Sequence, residues 1–277
     1  MIESCILRET STIRISYTIF LMRYLLLIIS LITIGFTTLV SIPGSPYLIG
    51  GHTQADISNM YATSVTPAGI TFAIWSLIYL SWIIMAVYVA CFYKKKSLTS
   101  SKHHGVISER SLEIYSLAIG LTGVWLIPWG NLYIGTALVI MVAILALLTY
   151  VFTLTRDASI FIRSSIELTL GWILIATAAN ISVYLRYLGL PYAQPGDYYY
   201  AIFALGALLL IVSELQCRYK TYIISAVFLW TLLGEWIAHP LLEERVAVVI
   251  YALTLSIYIW NSLHGKSTSL KNMKFWG

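Results

Sequence analysis

Of 277 residues, 59% are hydrophobic and 10% charged, against about 25% charged in an ordinary soluble domain. A soluble globule is excluded, because such a chain could not cover its surface with polar groups. Disorder, a collagen repeat and a disulfide scaffold fall away as well, since glycine has no period and there are three cysteines. The net charge of +5 reads as a topology signal facing anionic lipid and requires no nucleic-acid partner. The composition predicts an all-α, polytopic transmembrane helix bundle.

A spanning helix needs about 20 largely apolar residues, and at that depth only a helix satisfies its own backbone. Residues 1–21 mix acids and bases and predict a cytoplasmic segment, with Met22 an alternative start. About eight spans follow: 22–41, 68–92, 112–129, 133–154, 167–186, 200–216, 221–239 and 246–263. The Arg-flanked first span reads either as a retained helix or as a signal segment. The lack of a small-x-small site near Val40–Ser45 favours the retained helix. With the N-terminus in the cytoplasm, alternate segments on that side carry 15 of the 17 basic residues, and only Arg186 and Arg245 fall outside. That asymmetry follows the positive-inside rule and puts the C-terminal tail, 265–277, in the cytoplasm too.

Cys5, Cys91 and Cys217 all fall on the cytoplasmic side, without metal spacing or an expected disulfide. His103–His104 read as a solvated pair in a basic loop. Asn180-Ile-Ser is a glycosylation triplet by letter but lies within a span. Glu167 follows Arg163 by four residues, and Glu214 precedes Arg218 by four, so both predict ion pairs at cytoplasmic helix ends. Arg186 can snorkel at an outer end. Glu235 is the one acid that reads as intramembrane, and it shares a helix face with His239; Glu243 and Glu244 follow just outside. A metal or proton site could be drawn from these, but Pro240 ends the helix and no further histidine is near. No acids cross the membrane in a chain, no lysine suits a retinal Schiff base, and no nucleotide loop occurs. No catalytic residue, metal ligand or bound cofactor is therefore expected. The remaining bundle suits a large hydrophobic ligand, or none.

The aromatics have two readings. Tyr47, Tyr61, Tyr192, Tyr198, Tyr199, Tyr200, Trp236 and Trp260 fall near span ends as an interfacial belt. Trp75, Tyr79 and Trp82 form a stripe down the second span, Trp125 and Trp129 lie one turn apart in the third, and Trp172 and Asn180 lie eight apart in the fifth. Ala176 and Ala179 between these last two allow close helix approach or leave room for a flat ligand. Core and belt packing explains any one tryptophan more readily than a ligand does. The Asn180 carboxamide must hydrogen-bond a neighbouring helix or a ligand.

Thr66-Pro67-Ala68-Gly69-Ile70-Thr71-Phe72-Ala73-Ile74-Trp75-Ser76-Leu77-Ile78-Tyr79 resembles the second-span signature of the TspO/MBR family, the tryptophan-rich sensory or translocator proteins. Gly123-Val124-Trp125-Leu126-Ile127-Pro128-Trp129 is similar to that family's third helix. Gly171-Trp172-Ile173-Leu174-Ile175-Ala176-Thr177-Ala178-Ala179-Asn180 matches a W-L-x-[FA]-x-T-x-x-N pattern in its fifth. The resemblance covers 22–186 as a five-helix membrane core, with the outer loop 41–67 where the family keeps its lid. Thr122 and Gly123 replace an asparagine, Leu168 stands near a missing proline, and the lid lacks tryptophan. Three additional helices, over 187–264, make the chain look like an extended eight-helix relative.

The resemblance implies a bundle that binds tetrapyrroles or sterol-like molecules, in stress sensing or porphyrin handling; that the chain is not an enzyme is expected from its residues, since no nucleophile–base or acid pair is placed for catalysis. The resemblance carries over Trp75, Tyr79, Trp125, Trp129, Trp172 and Asn180 as ligand-binding positions, with a porphyrin as the ligand considered; Arg186 at the outer end, which the motif does not supply, is a candidate for its propionates. Membrane lipid and a hydrophobic small molecule are the expected partners, and a homodimer is open. A transporter of a neutral or amphipathic solute and a structural membrane subunit are the alternative readings. The internal cysteines and charge bias fit a bacterial inner membrane best; a mitochondrial membrane stays open.

Overall fold

The computed structural model describes residues 24–92, 107–191 and 197–264. Expectations placed on residues 1–21, on His103–His104 and on the 265–277 tail lie outside the described residues. Every regular element within them is helical. In chain order they are α1 (Tyr24–Leu39), α2 (Gln54–Met60), α3 (Ile74–Phe92), α4 (Glu109–Gly130), α5 (Ile134–Leu154), α6 (Ile160–Tyr187), α7 (Tyr198–Tyr219), α8 (Tyr222–Ala238) and α9 (Leu242–Leu263). The protein is a polytopic helical bundle of the kind the composition predicts.

Each of the eight predicted spans coincides with one apolar helix, and α2 is an additional short helix in the 41–67 segment. Among the described residues six helices are long and apolar enough to cross a membrane, while α1 and α8 are shorter apolar helices. Several helices outrun their apolar stretch because polar residues cap them. Ser108 accepts from the Ser111 N–H at the start of α4, and Asp197 from the Tyr200 N–H at the start of α7. The largest difference is in α6, which has 28 residues and starts seven residues before the predicted 167. Its first two turns hold the predicted pair, Arg163 Nε donating to Glu167 Oε1 at 2.6 Å. Arg163 Nη2 also donates to the Tyr219 carbonyl at 2.8 Å, so the same side chain caps the end of α7. Glu214 and Arg218 pair as predicted.

Large apolar side chains such as Leu77, Val139, Phe203, Leu210 and Leu253 point outward, as a lipid-facing surface requires. Helix α6 is the hub, packing on α3, α5 and α8, while α7, α8 and α9 pack on one another. Small residues set the closest approaches: a Cβ on Gly171 would lie 3.3 Å from Ile224 Cα, bringing α6 against α8. Between α3, α4 and α6 a buried polar knot closes. Trp82 Nε1 donates to Thr169 Oγ1 at 2.9 Å, and the Tyr115 hydroxyl lies 3.0 Å from Ser165 Oγ and 3.1 Å from Thr169 Oγ1. Trp82 and Tyr115 are fully buried, so the knot satisfies groups that would be costly to leave unpaired.

Candidate ligand cavity

The tryptophan-bearing ends of α3, α4 and α6 converge on one cavity of about 840 Å³, part of that volume being open to the outside. Five of the six predicted positions line it: Trp75, Trp125, Trp129, Trp172 and Asn180. Tyr79 does not. It sits one turn further on, tilted against both neighbours, 5.6 Å from Trp75 and 5.4 Å from Trp82 between ring centroids, so an aromatic column runs from the cavity to the buried polar knot.

The rings of the wall brace one another. Trp172 meets Phe72 and Trp75 edge-on, with centroids 6.0 and 6.3 Å apart, and Trp125 stacks on Trp129 at 5.0 Å. These separations lie in the favourable range for aromatic pairs. Ala176, Ala178 and Ala179 form part of the α6 wall and keep it shallow. Sequence reasoning missed the contributions of α7 and α8, since Ala204, Leu205, Leu208, Thr231 and Glu235 also line the space. Of these only Glu235 carried a signal, as an acid within an apolar run.

Polar atoms on this wall lack protein partners. Trp125 Nε1, Trp129 Nε1, Trp172 Nε1 and Asn180 Oδ1 are buried without a hydrogen bond. Asn180 was expected to bond a neighbouring helix or a ligand; instead its Nδ2 donates to the Ala176 carbonyl of its own helix at 2.8 Å. A back-bond to i−4 lets the side chain shed one donor locally and leaves the carbonyl oxygen over. Buried polar atoms are seldom left so, and with Glu235 Oε2 five belong to residues of this one cavity.

The 41–67 segment covers the cavity, with Gln54 and Ser58 of α2 in its lining. The short α2 is held by a reciprocal cap. Asp56 N–H donates to Thr53 Oγ1 at 3.1 Å, and Thr53 N–H donates to Asp56 Oδ2 at 2.7 Å. The Thr53 hydrogen bonds hold the Asp56 carboxyl below the usual carboxylate range. A group with a depressed folded pKa contributes stability above its unfolded pKa and loses it as pH falls through the folded value. Hydrogen-exchange protection of the α2 amides, corrected for intrinsic rates, is therefore expected to fall on acidification in the wild type and to be flat in Asp56→Asn. Identical profiles in the two proteins would remove the cap as the cause.

Among the described residues no group of three His, Cys, Asp or Glu side chains is disposed to hold a metal ion. No curated protein and no solved structure matches the chain. A family model described as TSPO-like protein matches residues 24–263, a range that takes in all eight apolar helices, and the chain belongs to that family.

Proposed function

We propose that this TSPO-like membrane protein binds a flat hydrophobic small molecule, of tetrapyrrole or sterol-like class, beneath the 41–67 segment. The observation that carries the reading is the wall of three buried indole N–H groups and one carboxamide oxygen, all without protein partners, around a cavity of about 840 Å³. Ligand pockets typically pair apolar walls with a few orienting polar groups. A ring system stacks on the indoles while an edge acceptor takes their N–H groups. Both termini are assigned to the cytoplasm of a bacterial inner membrane, on the distribution of basic residues, and stress sensing or porphyrin handling is the role that suits such a binder.

Tryptophan quenching by protoporphyrin IX in detergent tests the reading. Saturable quenching is expected, with affinity about tenfold weaker in Trp172→Phe and in Asn180→Ala, as the loss of one hydrogen bond of roughly 1.4 kcal/mol implies. Trp260→Phe, which alters a residue 62% exposed, should leave the affinity unchanged. Linear quenching, the same in every variant, means partition into micelles and sinks the proposal.

A further inference from the structure

Glu235 stands between two spaces. It lines the aromatic cavity and also a smaller pocket, of about 240 Å³, that it shares with His239 and Glu244. Glu235 is 3% exposed and its Oε2 accepts no hydrogen bond. His239 Nε2 lies 3.2 Å from that oxygen but is also 3.2 Å from the Thr66 carbonyl, on which its ring is aligned. Glu244 Oε2 lies 3.8 Å from the other ring nitrogen, Nδ1, and neither Glu244 oxygen has a hydrogen bond. Two carboxylates thus flank one imidazole, whose single charge can match at most one of them. They approach it through different nitrogens and do not converge on one point, which disfavours a metal ion.

Arg245, which follows Glu244 in the chain, is engaged elsewhere. It lies over the Trp236 ring at 5.0 Å, and its Nε donates to the His239 carbonyl at 3.3 Å. A buried carboxylate short of a partner is costly, and an incoming cation removes that cost where a neutral molecule leaves it in place. The same cavity carries Trp75, Trp125, Trp129 and Trp172, and indole is the ring that best attracts a cation.

We propose that the cavity selects an aromatic organic monocation, its ring against the tryptophan wall and its charge against Glu235. The inference rests on the reading above that the cavity holds a flat hydrophobic ligand, and it favours a cationic one over a neutral sterol or a porphyrin with anionic propionates.

A pair of probes of one shape separates the two ideas: 10-methylacridinium, a permanent cation, and 9-methylanthracene, its neutral counterpart, each titrated by tryptophan quenching. In the wild type the cation is expected to saturate at least tenfold tighter. In Glu235→Gln that preference should collapse while the neutral probe binds as before. The wild-type ratio decides the charge selection even if the variant does not fold. Equal saturable affinities in the wild type overturn the charge selection and leave the cavity reading standing. A preference that survives Glu235→Gln overturns the assignment to Glu235, and failure of both probes to saturate overturns the cavity reading with it.

Discussion

Gly234→Val is expected to destabilise the protein by roughly 3 kcal/mol, at the upper end of what overpacking a tight contact costs. A Cβ at Gly234 would lie 2.0 Å from Thr71 Oγ1, 3.1 Å from Pro67 Cβ and 3.2 Å from Thr71 Cβ. Thr71 is fully buried, and rotating its hydroxyl aside leaves its Cβ and Pro67 in the way. Two hydrogen bonds depend on this approach: Ala68 N–H to the Gly234 carbonyl at 3.1 Å, and Trp230 Nε1 to the Thr71 carbonyl at 2.9 Å. They seat α8 on the turn at Gly69–Ala73 that leads into α3. A branched side chain therefore pushes α8 from the cavity wall and takes Glu235 with it. Gly35→Val, in α1 where a Cβ would meet nothing within 4 Å, measures the helix-propensity cost alone. Thermal unfolding in detergent should show a much larger drop for Gly234→Val, and equal drops in the two variants would refute the tight-contact account.

The spans were legible because a membrane leaves a simple record. A residue facing lipid or a helical core must be apolar, so α3 and α5 stand out by composition, and Arg163 with Glu167 marks the end of α6 by spacing. The wall was legible in part for a different reason. Trp75, Trp125, Trp129, Trp172 and Asn180 are large or polar residues whose presence in an apolar run needs a cause. What closes the rest of the cavity has no such mark. Ala204, Leu205 and Leu208 of α7 line it, yet an alanine or leucine facing a cavity is chemically the same as one facing a neighbouring helix. Tyr79 shows the converse: its spacing from Trp75 puts it on the same stripe, but α3 advances by about 6 Å between them at 1.5 Å per residue, enough to carry the ring past the cavity. Glycine contacts were illegible too, since Gly35, where a Cβ would meet nothing within 4 Å, and Gly234, where it would meet Thr71 and Pro67, differ only in what a distant segment brings to them.

Gly50→Ala is expected to release protoporphyrin IX at least tenfold faster while leaving the thermal unfolding of the bundle nearly unchanged. Gly50 has φ +63°, and a Cβ there would lie 2.1 Å from the Gly130 carbonyl oxygen, a backbone atom that no rotamer change can move. The contact is mutual, because a Cβ on Gly130 would lie 2.7 Å from Ile49 Cβ. The turn at Ile49–Gly51 is thus latched to the last residue of α4, next to Trp129 of the cavity wall. An alanine at 50 lifts the latch, and with it α2, whose Gln54 and Ser58 cover the cavity. The lid lies outside the apolar helices, so its displacement costs the bundle little packing while opening the ligand's way out, and affinity changes of this kind appear mainly in the dissociation rate. Gly44→Ala separates strain from contact. It has a similar φ of +76° but nothing within 4 Å of a Cβ, so it carries the backbone penalty for a left-handed residue without the collision. Stopped-flow displacement of protoporphyrin should give a fast off-rate for Gly50→Ala and a near wild-type rate for Gly44→Ala; equal acceleration in both would mean that loop strain, and not the Gly50–Gly130 latch, holds the lid shut.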